Sequence, residues 1–581
     1  MKLTLLSSAI ALSLFAGAAQ ADSMAKGENG WTVSDPLFTV GETINGYTPP
    51  GILDGLGAIE LDDYTVRVYA NHELLNFRGY PYEVSDGMGG TFSLVGARVS
   101  YFDIDKDSRQ IVDAGLAYHT IYDANGNVAA DASFLAEPFA TFFGGAPGGG
   151  SQFGGFSRFC SSALFEAGEF NPEWYGKFSG KRKHPVKNFG LEDAIYFTGE
   201  EDGSGFNSVG GAEWALDVAT GEFWQVPAMG RGAWENVTQL DTGNRTHVAF
   251  LLADDSSPFD VDDYAAEAND DGNSEAAPLY LYIGEKNRRG NFLERNGLAD
   301  GQLYVWVSRT GETLPSEFNT AGTLKGDWVE IDNSQSLADA SEDGSTGYDE
   351  YGYPTQRTLW RRAEDLGAFG FSRPEDLATK PGNGAVAVLA STGVDTYDDG
   401  ADTFGTLYKI KTNFDDLTAK ISIMYDGDAD PSRQLRSPDN LEWADNNRIL
   451  VQEDEAEEDT LDGEVLFGDG AANPNEAGIV VVDPKTGASL RVANIDRSVV
   501  LDGSLADPTL AVDGDAGAAG EWESSGIIDV SELFGEKKGS LFLFDVQAHG
   551  IEDQEDVNAE SRINDSDLVE GGQLLFLSSP E

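Results

Sequence analysis

An arginine and two acids stand together in Phe371-Ser372-Arg373-Pro374-Glu375-Asp376, and another acid follows a proline in Ser437-Pro438-Asp439-Asn440-Leu441. Asn71-His72-Glu73 adds a carboxylate beside a histidine. The single cysteine sits in Phe159-Cys160-Ser161-Ser162, ahead of Glu166 and Glu169. A fifth string, Leu191-Glu192-Asp193-Ala194, runs through Tyr196-Phe197-Thr198-Gly199 to Glu200 and Asp202. Carboxylates suit hard cations such as calcium. A thiolate among carboxylates suits a softer transition metal. A guanidinium cannot be deprotonated and grips an oxyanion with two parallel hydrogen bonds, so Arg373 beside Glu375 fits an anion held against a metal. Clustered metals would neutralise such an anion and activate an oxygen nucleophile. Each group also has a plainer use. Arg373 can form an ion pair, Glu375 and Asp439 can cap turns, Glu192 can solvate a strand end, and Cys160 can pack as a small hydrophobe.

These strings need elements that bring them together. Apolar runs at 66–70, 163–165, 194–197, 248–253, 386–390, 449–452 and 541–544 each end abruptly in polar or acidic residues. Buried strands read as such runs. They are expected to be innermost strands of a ring whose ends meet at one channel mouth. Carboxylates crowded there repel one another unless cations offset them. Elsewhere short β-type runs flank turns such as Thr220-Gly221 and Asp483 to Gly487. Recurrent hairpins of this kind predict an all-β fold, a β-propeller of six or seven blades with long surface loop insertions. The insertions are a Gly-rich segment at 144–155 and acidic segments at 260–277 and 453–476. Asp426, Asp428 and Asp430 open like a calcium loop, but Pro431 stands where its glycine belongs and Ser437 where its bidentate glutamate belongs.

The N-terminus fixes the expected compartment. Met1-Lys2, a short apolar stretch and Ala19-Gln20-Ala21 make a cleaved signal peptide at 1–21. Residues 22–581 are then expected to form one catalytic propeller domain, periplasmic or extracellular. Asp and Glu number 100 against 38 Lys and Arg, a formal charge of −62. That balance argues against nucleic acid or an anionic membrane as partner and suits a salty medium. One cysteine excludes an internal disulfide. No paired-histidine zinc motif, serine-hydrolase elbow or P-loop occurs.

Taken together and in order, the five strings resemble the PhoX family of secreted alkaline phosphatases, over roughly residues 60 to 460. The resemblance implies a β-propeller phosphomonoesterase with calcium and ferric iron at the channel, the iron held partly by a cysteine thiolate. By motif, Cys160 is that thiolate, and Glu192, Glu375 and Asp439 are metal ligands. Glu200 and Asp202 fall in a calcium-binding stretch, and Arg373 is the phosphate clamp. Glu73 stands in a similar Asn-His-Glu string and takes a site role. The leader lacks the twin-arginine pair typical of the family, which implies metal loading outside the cytoplasm. Outside the resemblance, His549 follows a strong strand and is a candidate acid or base. The expected function is release of phosphate from small phosphomonoesters by a monomer. Two alternatives remain open: a phosphodiesterase or phosphotriesterase on the same site, and a calcium-stabilised binding propeller without turnover. The enzyme reading would fail if Cys160, Glu192, Arg373, Glu375 and Asp439 lay scattered across the surface.

Overall fold

The computed structural model describes residues 22–580 apart from 136–154, 173–187, 204–208, 257–276, 319–321, 342–343, 395–396, 430–434, 455–475, 502–511, 514–518, 553–562 and 565. The signal peptide, Asp430, and most of the three predicted insertions fall outside the described residues.

The turn signals fold as expected. Gly211–Asp217 returns as Glu222–Gln225 through Thr220-Gly221, and Gly478–Val482 returns as Ser489–Ile495. Four antiparallel strands make each full blade. Blade 1 comprises Leu53–Asp62, Thr65–His72, Arg98–Asp105 and Ile111–Leu116, from the axis outward. Blade 2 comprises Phe159–Phe165, Ile195–Glu200, Gly211–Asp217 and Glu222–Gln225. Blade 3 comprises Trp234–Leu240, His247–Asp254, Tyr280–Glu285 and Gly301–Ser308. Blade 4 comprises Pro374–Thr379, Val386–Ser391, Thr406–Asn413 and Thr418–Asp426, and Thr323–Ile331 joins its outer edge to that of blade 3. Blade 5 comprises Pro438–Trp443, Ile449–Glu453, Gly478–Val482 and Ser489–Ile495.

Blade 6 is assembled from both ends of the chain. Its inner strands are Ile527–Asp529, Leu541–Ala548 and Gly571–Ser578, and its edge is Thr32–Val33 with Phe38–Thr39. Ala25–Gly27 likewise edges blade 5. The first strands of the six blades adjoin one another in sequence, and the first strand of blade 6 returns to that of blade 1. Apolar layers fill the wedges between blades. Val388, Leu441 and Val451 pack between blades 4 and 5, for example, and Leu56, Val68 and Leu543 between blades 1 and 6.

One expectation is corrected here. Apart from 163–165, which ends the inner strand of blade 2, the apolar runs ending in polar or acidic residues are the second strands of the blades, not the innermost. Inner strands such as Trp234–Leu240 and Pro374–Thr379 carry polar and acidic residues and do not read as apolar runs, whereas the second strands, buried on both faces, do. The convergence still holds, because first and second strands run antiparallel and the start of one meets the end of the other. Glu166 and Glu169 follow the far end of the blade 2 inner strand. Glu169 therefore lines a cavity of about 810 Å³ along the axis towards the opposite face.

Candidate metal centre

A repeated backbone device builds the channel mouth. The second residue of five inner strands is Asp54, Cys160, Glu235, Glu375 or Asp439. All five are buried. Each lies in a β-bulge: Leu53 pairs with His72 while Leu56 pairs with Ala70, and the same one-residue slip recurs at Phe159/Ser162, Trp234/Val237, Pro374/Leu377 and Pro438/Leu441. A bulge bends its strand and re-aims a side chain.

The residue before each strand accepts a hydrogen bond from the residue just beyond the second strand. The donors are the amides of Glu73, Glu201, Asp255, Thr392 and Asp454. The acceptors are the carbonyls of Ile52, Arg158, Ala233, Arg373 and Ser437, at 2.8 to 3.0 Å. Four of those leading residues are left-handed: Ile52 (φ 48°), Arg158 (46°), Arg373 (57°) and Ser437 (43°). Each such residue costs about 1–2 kcal/mol, and such strain collects at functional sites.

Two rings of side chains result. One holds Asp54, Cys160, Glu235, Glu375 and Asp439. The other holds Glu73, Glu201, Asp255, Thr392 and Asp454. Donor atoms of Asp54, Glu73 and Cys160 lie within 4.8 Å of one another; so do those of Cys160, Glu201 and Glu235, and those of Glu235, Glu375 and Asp439. Cys160 and Glu235 are each shared, so the three groups form a continuous band across blades 1 to 5.

The band is electrostatically unfavourable as protein alone. Burial, then the charge of Glu73, pushes Asp54 up to about 8. Burial, then Glu375, Glu201 and Asp439, holds Glu235 well above the usual carboxylate range. Burial leads the rise at Glu201, Glu375 and Asp439 also. Cys160 is raised by burial, then by Asp54 and Glu235, and its thiol donates to Asp54 Oδ2 at 3.1 Å. Glu235 Oε2 and Asp439 Oδ1 are buried and accept no hydrogen bond from the described residues. Buried carboxylates normally have partners. Oxygen donors without them, beside a thiol, fit bound cations.

Amides brace the band. Asn71 donates to the carbonyls of Cys160 (2.7 Å) and Ser161 (3.0 Å). Asn440 and Gln547 donate to Asp54 at 3.2 and 2.9 Å. His72, opposite Leu53, has Nδ1 3.0 Å from Gly51 O and Nε2 2.7 Å from Ser100 Oγ. Burial lowers its pKa to about 3. The unfolded chain takes up a proton below pH 6.5 and the folded chain does not. The contribution of neutral His72 is therefore present above pH 6.5 and lost as pH falls towards 3. The stability gap between the protein and His72→Gln should narrow by about 2 kcal/mol between pH 8 and pH 5 in denaturant unfolding. A pH-independent gap would contradict this role.

Arg373 carries positive charge to the mouth. Its Nε and Nη2 donate to Asp255 at 3.2 and 3.0 Å, Nη2 lies 2.8 Å from Glu375 Oε1, and Nη1 donates to Asp454 at 3.3 Å. Burial opposes its charge, but Asp255, Glu375 and Asp454 outweigh that and raise its pKa.

The structure brings Cys160, Glu375, Asp439, Glu73 and Arg373 to this mouth. Glu200 and Asp202 flank Glu201, but the Glu200 carboxylate accepts from Trp214 Nε1 (3.1 Å) and the amides of Ser157 and Ala212 (both 3.3 Å), which ties it to its own blade. Asp202 is buried next to it. Glu192 is not in the band. Lys286 and Arg288 hold its two oxygens at 2.9 and 3.1 Å, so its charge is already matched. It therefore drops out of the ligand set. His549 bridges Glu570 (2.8 Å) and Glu523 (3.1 Å). Burial opposes its charge, yet those hydrogen bonds raise its pKa well above the ordinary value, which suits a fixed cation rather than a base.

Asp54, Glu235 and Asp255 escape a reading by motif, while Glu201 and Asp454 lie within strings the motifs single out without being named as ligands. Of these, Glu235 shares a sequence pattern with the two motif residues Glu375 and Asp439: Glu235-Asn236-Val237, Glu375-Asp376-Leu377 and Asp439-Asn440-Leu441 each place an acid, an amide or acid, then an aliphatic residue at a bulge.

Residues 226–509 match the family model described as alkaline phosphatase PhoX. No curated protein matches the chain. Among solved structures, Pseudomonas fluorescens PhoX in complex with vanadate, a transition state analogue, is 15% identical, with a TM-score of 0.54 over 97% of each chain. Pseudomonas aeruginosa periplasmic gluconolactonase PpgL is 10% identical, with a TM-score of 0.29 over 97% of this chain and 98% of that one. The family match takes in the strands that carry Glu235, Glu375 and Asp439, and with the shared fold it makes this chain similar to the PhoX family of alkaline phosphatases.

Proposed function

We propose that the channel mouth releases phosphate from small phosphomonoesters, with calcium and ferric iron held by the band of buried acids and Cys160. The observation that carries this reading is Arg373, which pairs with Glu375 and Asp255 beside a band of three donor groups, the atoms of each group lying within 4.8 Å of one another. A binding propeller would need no such arginine. Cys160 stands in two of the groups, with Glu201 and Glu235 and with Asp54 and Glu73, and in either it sets a thiolate beside two acids, a donor set suited to iron. Glu235, Glu375 and Asp439 form an all-oxygen group suited to calcium. Bound cations would supply charge neutralisation for the phosphate oxygens and an activated oxygen nucleophile.

The chain's own residues do the rest. Arg373 grips the phosphate and keeps its charge at any working pH. Asp255 and Asp454 hold that guanidinium in place from two blades. Glu73 belongs to the group with Asp54 and Cys160, so it serves as a ligand rather than a proton donor. Protonated His549 anchors Glu523 and Glu570 at blade 6. The Pseudomonas fluorescens relative binds vanadate, a transition state analogue, which accords with a phosphoryl-transfer site at this mouth.

Export by the leader at 1–21 would deliver the chain as one propeller domain, a monomer acting outside the cytoplasm. No described helix is long and apolar enough to cross a membrane. Turnover of p-nitrophenyl phosphate by the purified protein tests the reading. Hydrolysis of the monoester is the expected result, and its absence in metal-replete protein would reject it.

A further inference from the structure

We propose that Arg158 is a second phosphate-gripping guanidinium, paired with Arg373 across the mouth, and that the pair selects the dianionic phosphate of a monoester over the monoanion of a diester. This rests on the phosphatase reading above and adds a residue and a specificity to it.

The fivefold backbone repeat makes the two arginines equivalent. Arg158 precedes the inner strand of blade 2, and Arg373 precedes that of blade 4. Both are left-handed, at φ 46° and 57°. Both carbonyls accept from the residue beyond the second strand, Glu201 and Thr392, at 2.9 Å. The same position elsewhere holds uncharged Ile52, Ala233 and Ser437. A long side chain at a strained αL position is disfavoured, so its recurrence on these two blades asks for a reason.

The side chains also match. Arg158 reaches Glu201 and lies 3.1 Å from Glu73, while Arg373 reaches Asp255, Glu375 and Asp454. Their side chains are 27% and 29% exposed, whereas the acids they hold are mostly buried. Each side chain is thus partly open to solvent while the acids it holds are buried. Blade 3 lies between them, and its Glu235 belongs to two of the three donor groups. Asp255 helps to raise the Glu201 carboxyl, and Asp255 and Glu201 both help to raise that of Glu375, so the acids held by the two arginines share one electrostatic neighbourhood.

A monoester phosphate offers three non-bridging oxygens and two negative charges. Two guanidinium forks on opposite sides can use all three oxygens. A diester offers two such oxygens and one charge, so the second fork loses its partner and half its Coulomb gain.

The test uses purified, metal-loaded protein with Arg158→Ala, Arg158→Lys and Arg373→Ala. Inorganic phosphate is titrated by calorimetry, and metal content is measured on the same samples. Arg158→Ala is expected to weaken phosphate binding by about ten- to a hundredfold with metal content unchanged. Arg158→Lys should recover part of the loss, since it restores charge without the fork. The monoester kcat/KM of Arg158→Ala should fall by a larger factor than its kcat/KM on bis(p-nitrophenyl) phosphate, if the parent cleaves that diester. Unchanged phosphate affinity in Arg158→Ala would overturn the proposal, as would loss of metal in both Arg158 variants, which would make the residue a structural counter-ion. Weakened binding in Arg373→Ala alone would remove only the Arg158 role. A parent that neither binds phosphate nor cleaves monoesters would remove the phosphatase reading itself.

Discussion

Glu235→Gln is expected to lower monoester turnover by about a hundredfold or more and to release metal from two groups at once. Changes to residues that merely orient ligands already cost about 10–100-fold. Glu235 stands nearer than that. It is fully buried, its Oε1 accepts from the Ser161 amide at 3.2 Å, and it joins Cys160 and Glu201 on one side to Glu375 and Asp439 on the other. Glutamine keeps the shape and removes the charge. The substitution should therefore act with opposite signs on stability. With metal bound, the variant should melt lower than the parent, because ligands that bind only the folded state stabilise it by mass action. In chelator it should melt as high or higher, because one buried charge is gone from a band of like charges. Turnover and metal content equal to the parent's would remove Glu235 from the centre.

Arg373→Ala is expected to reduce turnover by about 10²–10³-fold while leaving metal content intact. Losing one preorganised group that faces charge in the transition state costs about that much. Metal should stay because the arginine opposes cation binding rather than assisting it. Without it, Asp255, Glu375 and Asp454 present more negative charge to the mouth. Arg373→Lys should remain well below the parent, since a lysine offers a point charge and no fork. Steady-state kinetics beside elemental analysis checks both variants. Turnover within about twofold of the parent for Arg373→Ala would contradict the clamp role.

The sequence makes some of this site legible and hides the rest for identifiable reasons. Thr220-Gly221 and Asp483 to Gly487 mark hairpins because their glycines sit at positive φ, and that chemistry is local. Cys160, Arg373 with Glu375, and Asp439 stand in strings whose residue types are unusual enough to notice. Glu235 stands in Ala233-Trp234-Glu235-Asn236, where nothing but a bulge aims it inwards, and bulges depend on pairing with a distant strand. Asp54 is likewise placed by the slip opposite His72 and Ala70. Glu192 shows the reverse error. Its string resembles a ligand-bearing one, but the two cations that neutralise it, Lys286 and Arg288, are nearly a hundred residues away. The inner strands escaped because polar and acidic residues interrupt them, as in Trp234–Leu240 and Pro438–Trp443, whereas the second strands, such as Val386–Ser391, are nearly continuous apolar runs. Their meeting at one mouth was legible all the same, because acids follow the apolar runs at 66–70, 248–253 and 449–452.

The most direct test of the central claim is to measure metal content and p-nitrophenyl phosphate hydrolysis on one purified sample, before and after chelation. Calcium and iron both bound, with turnover lost on chelation and restored by adding the metals back, is the predicted result. Full turnover in metal-free protein, or metal-replete protein that leaves the ester intact, would contradict it.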